Sequence, residues 1–223
     1  MILKRSILSL VLVWCIVALS GISVAAQEVK TALPISPVKP GEEIAVIVTK
    51  YGKIKIQLFS DVAPKHVENF KKLIKSRFYD GLAFHRAVPN LIVQGGDPNT
   101  KTGDRETWGM GAAGQPKVEA EFNDRPFVEG TFGAARASDP NSASSQFFLC
   151  VRPNPNWDGK YTNYGQIISG IEIVRQMTLL PTEGQKLVEK VVMSKVYLER
   201  YQKVVKRQLK AKGRKTKLRK MKP

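Results

Sequence analysis

The residues of this chain best suited to chemistry gather around one arginine. Arg86 stands in the run Phe84-His85-Arg86-Ala87-Val88, whose alternation suits a β-strand with one face inward. A guanidinium keeps its proton and carries five N–H donors in a fixed fork. On a mostly apolar strand it is either paired with a carboxylate or aimed at a ligand. Pro89-Asn90 turns the chain. Leu91-Ile92-Val93 gives a second buried run, Gln94 adds an amide, and Gly95-Gly96 allows positive φ or a close approach. A second amide lies beside aromatic residues in Ser145-Gln146-Phe147-Phe148. With only His66 and His85, and only Cys15 and Cys150, a Cys-His pair or a zinc site has few parts, and no metal-ligand spacing is visible. Cys150 is read as a small buried apolar residue, and no disulfide framework is implied. Gly109-Met110-Gly111-Ala112-Ala113-Gly114 matches G-x-G-x-x-G formally. No strand leads into it and Gln115-Pro116 breaks any helix it would open, so the dinucleotide reading fails. The reading calls for no metal and no cofactor.

These groups need a scaffold, and the periodicities supply one. Ile44 to Thr49 is a β-branched run, Tyr51-Gly52-Lys53 turns it, and Ile54, Ile56 and Leu58 alternate with polar residues, an antiparallel hairpin. Pro64 opens a helix with Val67, Phe70, Leu73 and Ile74 on one stripe. His66 falls off that stripe and is read as solvated. Pro98 to Pro116 reads as a polar, glycine-rich loop. Short strands are expected at Val118–Phe122, Gly130–Arg136, Gln146–Val151 and Tyr164–Ile168. A short helix carries Ile171, Val174 and Met177, and one long last strand runs from Val188 to Leu198. Many short strands with turn signals, and helices only near each end, predict a β-barrel or sandwich.

The 223 residues, 43% hydrophobic, are enough for one well-buried domain plus tails. Lys4-Arg5 precede an apolar run from Ile7 to Leu19, and Val24-Ala25-Ala26 offers small residues to a signal peptidase. Residues 1–26 therefore read as an export signal cut before Gln27, with an uncleaved membrane anchor as the competing reading. Residues 27–43, with Pro34, Pro37 and Pro40, read as a linker. The formal charge is +17 with a pI near 9.9, and 201–223 contains no acid. That tail is either solvated or a tether to an anionic membrane or other polyanion. Nucleic acid is a poorer candidate, because no stacking aromatics are interleaved beyond Tyr201.

Three ordered blocks carry a family resemblance: Phe84-His85-Arg86 with Pro89 and Gln94-Gly95-Gly96-Asp97; Ser145-Gln146-Phe147-Phe148; and Asp158-Gly159-Lys160-Tyr161 followed by Tyr164-Gly165. Together they resemble the cyclophilin family of peptidyl-prolyl cis-trans isomerases, over roughly Glu43 to Arg200. The resemblance implies a closed eight-stranded antiparallel β-barrel capped by two helices at 44–200, acting as a monomer on proline-containing unfolded or extended polypeptides. It assigns Arg86 the catalytic role. It gives substrate binding to Phe84, Leu91, Ile92, Gln94, Ala135, Arg136, Gln146, Phe148, Trp157 and Tyr161. Ala135 and Arg136 occupy the strand edge that pairs with substrate backbone. The chain departs from the family pattern where Leu91-Ile92 replaces Phe-Met, Arg136 replaces Asn, Tyr161 replaces His, and Asn156 and Trp157 replace Trp and Leu. Loss of that Trp implies weak cyclosporin sensitivity. The alternative function is a non-catalytic proline-peptide-binding module or chaperone held in place by the basic tail.

Overall fold

Ile44 to Val48 forms the body of β1 (Glu43–Thr49). The chain reverses at Lys50–Tyr51, where the Tyr51 N–H donates to Thr49 Oγ1 at 3.1 Å, and returns antiparallel as β2 (Gly52–Leu58). This computed structural model describes residues 37–202. The stretch read as an export signal, the expected linker up to residue 36 and the basic residues from 203 onward lie outside the described residues.

Helix α1 (Pro64–Lys75) follows, with His66, Val67, Phe70 and Ile74 buried. Then come β3 (Ala83–Val88), β4 (Ile92–Asp97), the single turn α2 (Asn99–Thr102), β5 (Thr131–Ala134), β6 (Phe147–Cys150) and β7 (Asn163–Ser169). The chain ends in α3 (Ile171–Thr178), β8 (Thr182–Glu183), β9 (Lys186–Val192) and β10 (Lys195–Arg200). All pairings are antiparallel, in the order β10-β1-β2-β7-β5-β6-β4-β3-β9-β8.

That order corrects the expectation of a closed eight-stranded barrel. Among the described residues the ladder has ten strands and two ends, and no hydrogen-bonded pair joins β10 to β8. The single long strand expected at 188–198 is two strands. At Met193–Ser194 the chain leaves the β3 edge, where Met193 N donates to Leu82 O, and joins the β1 edge, where Ser194 N donates to Val48 O. The chain itself, rather than a ladder, carries the connection from one side to the other.

The sheet buries both faces where the site lies. Its inner face holds Phe70, Tyr79, Phe84, Phe132, Phe147, Leu149 and Tyr164 among other apolar residues. The Phe70 ring from α1 lies 5.0 Å from Phe132 and 5.1 Å from Tyr79. A second cluster of Ile92, Phe127, Phe148 and Cys150 lies on the opposite face. Period-two alternation creates both: along β6, Phe147 and Leu149 go inward while Phe148 and Cys150 go outward. Cys150 is fully buried, and burial pushes its thiol well up, so it is packing material, not a reactive group.

Two local expectations also change. Val118–Phe122 is no strand; only Val118 makes a bridge, to Ala143. His66 is 5% exposed instead of solvated. It packs on the Tyr164 ring at 5.6 Å and its Nδ1 lies 2.6 Å from Glu121 Oε2. The covering groups, Tyr164 on β7 and Glu121 on a loop, lie more than 50 residues away, so no local pattern announces them.

Candidate active site

Arg86 owes its position to an irregularity. Phe84 pairs with Gly95, yet Arg86 pairs with Gln94, so two steps on β3 match one on β4, a bulge at His85. A bulge reverses the face presented by the residues that follow it. Phe84 therefore points into the inner core, fully buried against Phe147 at 5.8 Å, while Arg86 emerges on the outer face. This corrects the assignment of Phe84: it is a wall of the core, not of the pocket.

On the outer face a small pocket of about 150 Å³ is lined by Arg86, Val88, Leu91, Ile92, Gln94, Ala135, Arg136, Phe148, Trp157 and Tyr161. Nine residues expected to meet a substrate are thus brought together, with Val88 added. Gln146 lies just outside. It lines a neighbouring cavity of about 330 Å³ with Gly109, Met110, Gly111 and Gln115, and that cavity shares Gln94, Ala135 and Arg136 with the first. The glycine-rich stretch thus lines a cavity beside the arginine. Its turns are held by the buried Asp97 carboxylate, which accepts the Gly109 and Gly111 N–H groups.

A directed hydrogen-bond chain crosses both cavities. Arg86 Nη1 donates to Gln94 Oε1 at 2.8 Å, Gln94 Nε2 to Gln146 Oε1 at 3.0 Å, and Gln146 Nε2 to Gly109 O at 3.1 Å. From the other side, Arg86 Nε and Nη2 donate to Gln185 Oε1 at 2.8 and 2.5 Å. Three of the five donors of an arginine are engaged, and two N–H groups remain, one on each terminal nitrogen. No carboxylate pairs with Arg86 among the described residues; its partners are the two glutamine amides. Burial lowers its pKa, but a guanidinium remains cationic throughout the working range.

The floor and walls are aromatic. Phe148 meets Trp157 edge-on at 5.2 Å and Tyr161 at 5.9 Å. Phe127 stacks behind Phe148 at 5.9 Å. Sequence reasoning passed over Phe127, although a large aromatic directly after the turn Asn123-Asp124-Arg125-Pro126 was the available signal. The Asp158 carboxylate accepts the Phe127 N–H at 2.7 Å and ties the Trp157–Tyr161 loop to this floor. Arg136 lies 4.5 Å above the Tyr161 ring and donates to the carbonyls of Ala137, Ser138 and Lys160. The Ala135 N–H donates internally, to Gln146 O at 3.1 Å. Besides Val88 and the glycine-rich stretch, Gln185 and Phe127 contribute from outside the expected set.

His85, behind Arg86, is 1% exposed, and neither ring nitrogen has a partner among the described residues. Burial first, against a nearby Asp97 charge, brings its pKa down to about 4. It is neutral at pH 7 and adds no second cation beside Arg86.

The chain that builds this pocket matches known proteins in sequence and in fold. The family model for cyclophilin type peptidyl-prolyl cis-trans isomerases matches residues 44–198. A Brucella suis protein named "Probable peptidyl-prolyl cis-trans isomerase" is 37% identical over 161 residues, 70% of this chain and 80% of that one. A Synechococcus elongatus peptidyl-prolyl cis-trans isomerase is 42% identical over 122 residues, 55% of this chain and 78% of its own. The crystal structure of a Cryptosporidium parvum cyclophilin type isomerase, solved in the presence of the dipeptide Ala-Pro, superposes with a TM-score of 0.63 at 27% identity. The match covers 71% of this chain and 99% of that one. With the family model reaching from β1 into β10, this chain belongs to the cyclophilin-type peptidyl-prolyl cis-trans isomerases and is an enzyme of that activity.

Proposed function

We propose that the domain accelerates X-Pro isomerisation by electrostatic stabilisation of the twisted amide, with Arg86 as the donor. Rotation about a peptide bond faces a barrier of about 18–20 kcal/mol because the planar amide is conjugated. At the twisted transition state the proline nitrogen loses that conjugation and regains a lone pair. A donor aimed there favours the transition state over either planar ground state, which is what catalysis requires. The observation that carries this reading is the Arg86 guanidinium, held by glutamines on two sides at the edge of an apolar pocket, with two N–H groups uncommitted. Phe148, Ile92, Leu91, Trp157 and Tyr161 offer the proline ring an apolar seat. Gln94 and Gln146 offer polar groups to the adjoining peptide. One well-placed donor of this kind contributes roughly 2.7–4 kcal/mol, so Arg86→Ala is expected to lower kcat by about two to three orders of magnitude with little change in KM. Undiminished kcat in that variant sinks the mechanism.

The same reading makes the substrates proline-containing segments of unfolded or extended exported polypeptides. It rests on the apolar run Ile7–Leu19 followed by Val24-Ala25-Ala26, with the basic residues of 201–223 as a tether to an anionic surface. Sequencing the N-terminus of the protein isolated from its host is expected to begin at Gln27. Retention of Met1 and the apolar run replaces the exported form by an anchored one.

A further inference from the structure

Every side chain in the hydrogen-bond network around Arg86 was expected at the site, except one. Gln185 comes from the tip of the β8–β9 hairpin, about 100 residues from Arg86 in the chain. Two separate contacts fasten it there. Its main-chain carbonyl accepts the N–H of Ala87, the residue after Arg86, at 2.9 Å. Its side-chain Oε1 accepts from Arg86 Nε and Nη2 together. Gln94 holds Nη1 from the other side. A guanidinium gripped at Nε and at both terminal nitrogens has its plane fixed, and its remaining donors can point in only one set of directions.

The hairpin that delivers Gln185 is itself braced. The Arg105 guanidinium pairs with the Glu183 carboxylate and donates to the carbonyls of Leu187 and Lys186 at 3.2 and 3.3 Å. Lys186 Nζ reaches back to Glu106 O and Oε2 at 3.1 and 3.2 Å. Gly184, at φ +61°, allows the tight turn between the two strands. The choice of side chain also matters. An amide oxygen can orient the guanidinium without neutralising it, whereas a carboxylate in the same place would oppose the positive field that the twisted amide needs.

We propose that Gln185 is a positioning residue for the reaction: it pre-orients the Arg86 guanidinium so that its two uncommitted N–H groups meet the proline nitrogen at the transition state. The inference rests on the role given to Arg86 above. It acts through geometry, so its loss lowers kcat more than it raises KM.

The test is a double-mutant cycle on the full chain, with kcat and KM for an X-Pro peptide and the thermal midpoint measured for each protein. Gln185→Ala and the near-isosteric Gln185→Met both keep the main-chain bond to Ala87. Both are expected to lose on the order of tenfold in kcat, a loss of position, with KM within about twofold. In an Arg86→Ala background, Gln185→Ala is expected to change kcat no further, because the two residues act as one unit. Full kcat in Gln185→Ala, while Arg86→Ala has lost it, overturns this inference alone. So does retention of kcat by Gln185→Met, which would reduce Gln185 to a packing role. An undiminished loss in the Arg86→Ala background shows that Gln185 does not act through Arg86 and likewise overturns it. Full kcat in Arg86→Ala removes the Arg86 mechanism and this inference together.

Discussion

His85 is a buried neutral histidine directly beside the proposed catalytic cation, and its titration has a consequence for stability. Its pKa falls from 6.5 to about 4 in the folded protein because burial penalises the charged ring. The unfolded chain takes up the proton below about pH 6.5, while the native state refuses it until about pH 4. Stability is therefore full above pH 6.5 and is lost between pH 6.5 and 4, by about 3 kcal/mol at most. His66, whose pKa burial also lowers, adds in the same sense. Urea midpoints at pH 7 and pH 4.5 are expected to differ less in His85→Gln than in the parent; equal slopes would refute the assignment. A second residue-scale prediction concerns Gly133. It pairs with Phe148 across β5 and β6, and a Cβ there would lie 2.5 Å from the Phe148 ring. Gly133→Ala is expected to drive that ring into the pocket, costing about 1–3 kcal/mol of stability and raising KM for a proline peptide. An unchanged KM and midpoint would show that the ring has room to move. At this scale the chain was legible where residue type alone decides. Arg86, Gln94, Phe148 and Tyr161 were identifiable from their motifs. Phe84 was assigned to the pocket because it belongs to the same motif as Arg86, and only the bulge at His85 puts the two on opposite faces. Gln185 was unreadable, since a hairpin tip carries no periodicity and its partner is distant in sequence.

At the scale of elements, the strands follow from β-branched and alternating runs, but their terminations and caps do not. Helix α1 shows why. Pro64 starts it, yet its N-cap residue Ala63 supplies no side-chain bond. The cap comes instead from Glu121, in the loop between α2 and β5. Its carboxylate accepts the Lys65 and His66 N–H groups, each at 2.9 Å, and contacts His66 Nδ1. Burial pushes the Glu121 carboxyl up, but these donors outweigh it and its pKa is lowered. The negative charge also sits at the positive end of the helix. Glu121→Ala leaves these three donors without their acceptor beneath a loop, and is expected to lower the unfolding free energy by about 1–3 kcal/mol. Guanidinium unfolding checks this; a loss below about 0.5 kcal/mol would mean water replaces the carboxylate freely. The same loop carries Lys117, which lines the larger cavity, so this cap also holds one wall of the site. The splitting of 188–198 into β9 and β10 is of the same kind. The apolar pattern runs through Met193 and Ser194, and only the two competing edges, β3 and β1, explain the break.

At the scale of the whole molecule, charge is segregated from chemistry. Residues 201–223 contain eleven Lys and Arg and no Asp or Glu, so they supply +11 of the formal +17. The last strand, β10, ends at Arg200, Tyr201 adds one more pairing with Glu42 and Gly41, and among the described residues the Arg86 pocket is lined by residues between Arg86 and Tyr161. Isomerisation and the proposed tethering are therefore expected to separate. Each Lys or Arg near an anionic membrane contributes about 1 kcal/mol, an attraction that fades within a Debye length. Even three of the eleven engaged at once would raise membrane affinity by about two orders of magnitude. The full chain is expected to bind vesicles containing phosphatidylserine at 50 mM salt, to release them at 300 mM, and to ignore pure phosphatidylcholine. The chain ending at residue 200 is expected to lose the binding while keeping kcat and KM for a proline peptide. Binding that survives the truncation, or that salt does not weaken, would remove the tether. A fall in kcat on truncation would show that the tail contributes to the site as well.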